Sequence, residues 1–335
     1  MYGTSRMAKR FLGFGAACLL ALLACSASVA MAAEVTPRML VPVGHTVGIK
    51  LFSKGVVVVK LSDGGTPAKA CGLRTGDVIV QCGGSTVTSS EQFQSLLQTC
   101  GGAAELEVRR NGDSMTLSVE PERNDQGVYC IGAWIRDSMA GIGTMTYYDP
   151  ATSTFGALGH GITDVDTAQL MPFSNGSILP STVKAVKRGE TGSAGELRGD
   201  FELDTSLGDL YANTESGIFG TLAVSDYAPA CQDAVPIGEA VPGPAVIRSN
   251  VEGDAVEEYE IEILKVVSGT SDGRDLVISV TDPKLLKATG GIVQGMSGSP
   301  ILQNGKLVGA VTHVLLNDPT KGYGILIENM LNAAK

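Results

Sequence analysis

The sequence predicts a mainly β protein in which two packed β-barrels follow a smaller domain, and three observations lead to this prediction. Glycine is abundant, with 43 of 335 residues, whereas aromatic residues make up only 5%. From residue 127 onward, short apolar runs alternate with turn residues, without the long helices that separate strands in α/β folds. In one such run, Tyr259, Ile261 and Ile263 alternate with glutamates, which indicates a strand with one solvent-facing side. This pattern is typical of β-barrels.

Residues 1–33 are predicted to be a signal peptide or a membrane anchor. Three basic residues precede an uncharged apolar run over residues 11–33, and this run is long enough to span a bilayer. The small-x-small pattern at residues 30–32 suits a signal peptidase, and residues 22–25 resemble a lipoprotein box. An anchor, clean secretion and lipidation therefore remain open, and each of them places the rest of the chain outside the cytoplasm.

Residues 44–121 resemble a PDZ domain. The run Cys71-Gly72-Leu73-Arg74-Thr75-Gly76-Asp77-Val78-Ile79 matches the Ala-Gly-Leu-x-x-Gly-Asp-x-Ile signature of the bacterial PDZ group, with Cys71 where alanine is usual. Ser89 is expected to cap a helix that ends at Gly101. Asn111-Gly112 predicts a tight hairpin after that helix.

The PDZ resemblance implies a peptide groove between this helix and a strand at residues 47–51. A peptide C-terminus would add there as an extra strand, bound at Val47, Gly48 and Ile49. A PDZ fold that serves only as a spacer is the alternative.

The stretch from Gly290 to Pro300 predicts a nucleophile on a tight turn. Ser297 stands between glycine-rich residues and an apolar strand. Gly295 allows the backbone to fold so that the amides of Gly295 and Ser297 point at one spot. Two such N–H groups form an oxyanion hole, which stabilises the negative charge that develops in acyl transfer. An ordinary glycine-serine loop is the alternative.

A serine nucleophile needs a base, and the sequence offers three histidines, His45, His160 and His313. His160 is the predicted base, because flanking glycines leave its imidazole accessible and a predicted hairpin over residues 144–158 ends beside it. His45 lies before the small domain and is expected on the surface. His313 lies in an alternating strand and is expected to be structural or to line the pocket, and a role as the base stays open.

Four carboxylates of the sequence could orient the imidazole. The candidates are Asp164, Asp166, Asp282 and Asp318. The chain order His160, Asp282, Ser297 matches the order in the chymotrypsin group. An aspartate before a proline, as at Asp282, also suits the start of a turn.

Four blocks of sequence resemble the stage IV sporulation protein B (SpoIVB) family of serine peptidases: residues 134–144, 155–167, 281–313 and 317–325. The resemblance implies a chymotrypsin-like double β-barrel over residues 127–335. It also implies that Ser297 is the catalytic serine, His160 the histidine and Asp282 the third residue. In the chymotrypsin pattern the aspartate belongs to the other barrel, so a direct contact between Asp282 and His160 stays open.

The resemblance further implies an exported serine endopeptidase of intercompartmental sporulation signalling. Its substrate would be a membrane-tethered regulator similar to SpoIVFA, whose cleavage activates an intramembrane protease. The peptidase itself would be membrane-anchored or released into the space between mother cell and forespore. Self-association and autocatalytic cleavage of the chain itself are also implied. The alternative is a catalytically inactive exported PDZ adaptor that only binds proteins.

Charge and cysteine usage exclude other classes. The net charge of −10 argues against a nucleic-acid partner, because phosphates would be repelled. No Cys-x-x-Cys pair is present and histidines are few, so neither a metal site nor a cofactor is expected. Five cysteines follow the export segment, an odd number, so at least one stays unpaired within the chain. They are Cys71, Cys82, Cys100, Cys130 and Cys231.

Residues 184–198 are expected to form a solvated loop.

Overall fold

The computed structural model describes residues 38–202, 204–223, 233–267 and 273–335. The predicted export segment, residues 1–33, lies outside these ranges, as does Cys231. Residues 39–335 form one compact unit. No helix in the described ranges is both long and apolar enough to cross a membrane.

The described residues form short strands and a few short helices. The first strands are β1 Met39–Pro42, β2 Thr46–Leu61, β3 Val78–Cys82, β4 Ser85–Thr86, β5 Ala104–Arg110, β6 Asp113–Val119, β7 Glu122–Arg123, β8 Tyr129–Cys130, β9 Ala133–Asp149, β10 Thr154–Ala157 and β11 Phe173–Lys187. The later strands are β12 Glu196–Phe201, β13 Gly208–Thr214, β14 Gly217–Leu222, β15 Val235–Pro236, β16 Gly243–Ser249, β17 Glu257–Val266, β18 Leu276–Val280, β19 Pro300–Gln303, β20 Lys306–Val314 and β21 Lys321–Leu326. The helices are α1 Pro67–Ala70, α2 Ser90–Cys100, α3 Pro283–Thr289 and α4 Ile327–Ala333.

The N-terminal domain packs α2 against the sheet formed by the second half of β2 with β3, β5 and β6. The Ser89 side chain accepts from the backbone N–H of Gln92, and α2 ends at Gly101 in the left-handed conformation, as the sequence predicted. Phe93 and Leu97 bury the inner face of the helix. The hairpin of β5 and β6 turns at Asn111 and Gly112, both with positive φ, as expected for an Asn-Gly turn.

Two closed barrels follow. In the first, β2, β9, β10, β14, β13 and β11 pair in that order, and β11 pairs back to β2. The second is the closed barrel β16-β17-β18-β21-β20-β19. In β17, Tyr259, Ile261 and Ile263 are buried and the intervening glutamates are exposed, as the alternation predicted. The prediction of a mainly β protein with a chymotrypsin-like double barrel is confirmed.

The strand β2 belongs to two domains at once. Its second half, from Val56, lies in the sheet of the N-terminal domain, whereas residues 46–52 are part of the first barrel. The predicted PDZ range, residues 44–121, therefore begins with residues that belong to the first barrel, because one continuous strand supplies both cores.

This sharing contradicts the predicted peptide groove at Val47, Gly48 and Ile49. Ile49 pairs with Ile178 of β11 on one edge and with Gly141 of β9 on the other, and its two neighbours are paired in the same way. A peptide adds to a sheet only at an open edge. These three residues have none, because the barrel strands occupy both sides.

The side of α2 that would face a ligand also contacts the chain itself. Gln94 and Gln98 both donate to the carbonyl oxygen of Tyr129, at 2.7 and 2.9 Å. The backbone N–H of Ser90 donates to the carboxylate of Asp137 at 2.7 Å. The first residues of the second domain therefore run along α2, and β9 continues from them beside β2.

The solvated loop expected over residues 184–198 is instead part of a β-hairpin. Strands β11 and β12 pair from Ser181 to Lys187 and from Glu196 to Phe201. The tip is fixed by backbone hydrogen bonds, among them Gly189 N–H to the carbonyl of Thr289 at 2.8 Å. Glycine at the tip permits a close approach of the two backbone segments: a Cβ on Gly195 would lie 2.5 Å from Gly189 N.

Candidate active site

A cavity of about 410 Å³ is lined by residues of both barrels. The first barrel and the residues that follow β10 contribute apolar side chains and His160, and the second contributes the glycine-rich turn and the end of β20. Ser297, His160, His313 and Thr312 all line this cavity. The structure thus brings together the serine and the histidine that the sequence singled out, although 137 positions separate them in the chain (297 − 160).

The serine lies on a compact double turn. The backbone N–H of Met296 donates to Val293, and that of Ser299 donates to Met296, at 3.1 and 2.9 Å. Gly298 has φ +97°, a conformation that other residues rarely adopt. The Ser297 hydroxyl donates to the carbonyl oxygen of Thr312 at 2.8 Å.

The two amides predicted to form the oxyanion hole are available. Gly295 and Ser297 both line the cavity. Within the described residues, neither donates its backbone N–H to another group of the chain, whereas the intervening Met296 N–H is used in the turn. Two unused N–H groups on either side of a hydrogen-bonded one suit a pair of donors to a substrate oxygen. The assignment of Gly295 and Ser297 to an oxyanion hole stays a prediction.

Thr144 of β9 joins the serine turn to the first barrel. Its backbone N–H donates to the carbonyl of Ser297 at 2.9 Å, and its hydroxyl donates to the carbonyl of Gly295 at 2.7 Å. Its own carbonyl accepts from the N–H of Leu158 at 3.2 Å. Thr144 therefore connects the serine turn to the residues that lead into His160. The prediction missed this residue, although it lies in the block that resembles the peptidase family.

His160 follows β10 after two residues in the left-handed conformation, Leu158 with φ +69° and Gly159 with φ +70°. A non-glycine residue in this region is uncommon, and such strain clusters at functional sites. Gly159 is needed for packing as well, since a Cβ there would lie 2.9 Å from the Thr312 methyl group. The turn at Leu158 and Gly159 thus packs the segment that carries His160 closely against the second barrel.

The hydrogen bond of His160 determines its tautomer. Its Nδ1 lies 2.9 Å from the carbonyl oxygen of Gly161. A carbonyl oxygen only accepts, so Nδ1 carries the proton and Nε2 has the free lone pair. Desolvation by burial lowers the pKa of His160, although the hydrogen bond to Gly161 opposes this shift. The ring is therefore neutral near pH 7 and suited to accept a proton at Nε2.

His313 lies next to this ring. The two imidazole centroids are 5.1 Å apart, with the ring planes tilted by 37°. His313 lines the cavity, as expected. Within the described residues, no hydrogen bond joins the Ser297 hydroxyl to His160, because the hydroxyl donates to Thr312.

Asp282 does not contact His160 in this structure. Its side chain caps α3 by accepting from the N–H of Leu285 at 2.9 Å, and its other oxygen lies 3.4 Å from the N–H of Glu260. It is not among the residues that line the cavity. The turn-initiating alternative describes this placement, because an aspartate before a proline is a good helix N-cap.

The other candidate carboxylates are also engaged elsewhere. Asp164 is buried, pairs with Arg136 and accepts from the amides of Asp166 and Thr167. Asp166 pairs with the same arginine at 2.7 Å. Asp318 accepts from Thr320 and Lys321. Nδ1 of His160 is thus oriented by a backbone carbonyl, which no side-chain pattern in the sequence could have indicated.

Comparisons with known proteins agree with this architecture. The sequence model of the family "SpoIVB peptidase S55" matches residues 127–331, and that of the PDZ domain matches residues 37–120. The chain is 37% identical over 57 residues to serine protease HTRA1 of Xenopus tropicalis, which covers 17% of this chain and 12% of that protein. It is 31% identical over 68 residues to a putative zinc metalloprotease of Clostridium perfringens, which covers 20% of each. The chain thus spans a fifth or less of these relatives.

Among solved structures, the chain is similar to the PDZ domain of the SdrC-like protein from Listeria monocytogenes, with a TM-score of 0.23 and 20% identity over 24% of this chain and 87% of that one. It is also similar to the active form of the Rv3671c protease from M. tuberculosis, with a TM-score of 0.32 and 12% identity over 58% of this chain and 72% of that one. Because the family model matches more than half of its length, this chain belongs to the SpoIVB peptidase S55 family and carries an N-terminal PDZ domain.

Proposed function

We propose that Ser297 is the nucleophile and His160 the general base of peptide-bond hydrolysis through an acyl-enzyme. The observation that supports this most directly is that the serine hydroxyl, the imidazole and the two available amides line one cavity. On substrate binding, the hydroxyl leaves the Thr312 carbonyl and turns toward Nε2 of His160. It then attacks the peptide carbonyl while the imidazole takes its proton.

The amides of Gly295 and Ser297 would bind the oxygen of the tetrahedral intermediate. Loss of one such donor typically costs about 3 kcal/mol of transition-state stabilisation. The protonated imidazole, held by the Gly161 carbonyl, then gives its proton to the leaving amine. Asp282, implied by the family resemblance as the third residue, would act in this scheme by holding α3, which leads into the serine turn.

A fluorophosphonate probe tests this assignment. The probe should label wild type and fail to label Ser297→Ala, which should show no measurable cleavage. Ser114→Ala, which removes an exposed hydroxyl in β6, serves as the matched control and should react like wild type. If Ser297→Ala were labelled as fast as wild type, the nucleophile would be another residue. If wild type were never labelled, the alternative of an inactive PDZ adaptor would gain support.

For the substrate, we propose a membrane-tethered regulatory protein similar to SpoIVFA, cut outside the cytoplasm during sporulation. The family resemblance and the predicted export segment support this role, and they also support cleavage of the chain by a second copy. Incubation of the purified enzyme with such a regulator in vesicles tests it. Wild type should cut the regulator, whereas Ser297→Ala should leave it intact. An uncut regulator in the presence of a probe-reactive enzyme would exclude this substrate and leave the nucleophile assignment standing.

A further inference from the structure

Two cysteine side chains of the PDZ domain lie next to each other. Cys82 ends β3 and Cys100 ends α2, and both belong to the apolar core of this domain. A Cβ placed on Gly83, the residue after Cys82, would lie 3.0 Å from the sulfur of Cys100. The fold therefore brings the Cys100 sulfur to the backbone beside Cys82, across 18 positions of sequence (100 − 82).

A separate property of Cys82 agrees with this proximity. Burial, the charge of Cys100 and a side-chain hydrogen bond with Cys100 together raise the pKa of the Cys82 thiol to about 11, with burial as the largest cause. Cys71, in contrast, donates its thiol to the carbonyl of Ala68 at 3.2 Å.

We propose that Cys82 and Cys100 form a disulfide bond that joins the end of α2 to the end of β3. Two thiols lose two protons and two electrons in this step, and the oxidant that we name is a disulfide, either of low molecular weight or of a thiol oxidase, which is reduced to two thiols. Oxidation of this pair leaves three of the five cysteines that follow the export segment outside the bond. The proposal is independent of the peptidase mechanism.

The accessibility of the two sulfurs sets the order of the steps. Cys100 is partly exposed, whereas Cys82 is fully buried. The Cys100 thiolate attacks the oxidant first, which forms a mixed disulfide and releases one thiol. Cys82 then loses its proton and attacks the Cys100 sulfur, and the second thiol of the oxidant leaves. Because the thiolate of Cys82 is scarce near neutral pH, the second step should accelerate about tenfold per pH unit between pH 7 and 9.

The disulfide bond would link α2, the helix that contacts the start of the peptidase domain, covalently to β3. Through Gln94 and Gln98, α2 binds the backbone of Tyr129. Closing a loop of this size restricts the unfolded chain, and the melting temperature should rise by roughly 5 °C on oxidation.

The test uses the full chain with Ser297→Ala, so that self-cleavage cannot alter the sample. The protein is incubated with oxidised glutathione, free thiols are alkylated, and peptides are mapped by mass spectrometry. We expect one cross-linked species that contains Cys82 and Cys100 and weighs two hydrogens less than the reduced pair. Cys71→Ser should form the same species, whereas Cys100→Ser should lose it together with the gain in melting temperature.

Three results would overturn the proposal. They are complete alkylation of both thiols in the folded, oxidised protein, a stable glutathione adduct on Cys100, and a bond from either cysteine to Cys71, Cys130 or Cys231. If Cys100→Ser failed to fold, the double variant with Cys82→Ala and Cys100→Ala would replace it. Oxidised glutathione should then leave the melting temperature of this double variant unchanged.

Discussion

The backbone N–H of Thr144 in the first barrel donates to the carbonyl oxygen of Ser297 in the second, at 2.9 Å. The Thr144 hydroxyl donates to Gly295, two residues earlier, at 2.7 Å. Thr144 thus holds the turn on both sides of the nucleophile, and its carbonyl accepts from Leu158, two residues before His160. A single residue connects the two halves of the proposed dyad, so the geometry of the site depends on how the barrels are joined.

Thr144→Val should therefore lower both stability and activity. The change leaves the Gly295 carbonyl without its donor in a buried site, which typically costs about 1–3 kcal/mol. We expect kcat/KM to fall about tenfold, because a displaced turn misplaces the oxyanion amides. Thr144→Ser keeps the hydroxyl and should retain most activity. Thr152→Val removes an exposed hydroxyl of the same barrel and should change neither quantity. Wild-type kinetics for Thr144→Val would show that the turn is held by other contacts.

Gly298→Ala should prevent the two barrels from closing. A Cβ at this position would lie 2.0 Å from the Thr144 carbonyl oxygen and 2.6 Å from the Leu158 nitrogen, and φ is +97°. Both neighbours are backbone atoms, so no side chain can move away. We expect the free energy of unfolding to drop by about 3 kcal/mol or more.

The matched control is Gly305→Ala in the turn between β19 and β20. Its φ is also positive, at +72°, but a Cβ there meets no atom within 4 Å. Only the conformational penalty remains, about 1 kcal/mol. Chemical denaturation of both variants measures the difference. Equal losses would mean that strain, and not the contact between the barrels, determines the cost at Gly298.

Substitutions of Asp282 distinguish a helix cap from a catalytic carboxylate. Asparagine caps helices about as well as aspartate, whereas alanine does not, at a cost of about 1 kcal/mol. Because Asp282 caps α3, Asp282→Asn should keep both stability and most of kcat, and Asp282→Ala should lose stability. The measurement is kcat together with the unfolding midpoint. A loss of kcat of a hundredfold or more in a stable Asp282→Asn would instead show that the charge takes part in catalysis.

The sequence was sufficient to predict what depends on local chemistry. The caps at Ser89 and Gly101, the Asn-Gly hairpin and the alternation in β17 are determined by neighbouring residues. The serine turn was recognisable for the same reason. The pairing of residues 47–49 was not, because an apolar strand does not reveal how many of its edges are occupied. The Gly161 carbonyl, which orients His160, also belongs to the backbone and leaves no trace in the residue types.

The dependence of activity on pH follows from the environment of His160. Desolvation by burial lowers the pKa of this imidazole from its ordinary value of 6.5. The base must be neutral, so kcat/KM should stay at its plateau at pH 6.5 and fall only at lower pH. The same lowered pKa affects stability. Below pH 6.5 the unfolded chain binds a proton more readily than the folded one, so the free energy of unfolding decreases as the pH is lowered toward the folded-state pKa. His160→Gln should lack this contribution to the loss of stability. An acidic limb above pH 6.5 in the wild-type profile would contradict the assignment of His160 as a desolvated base.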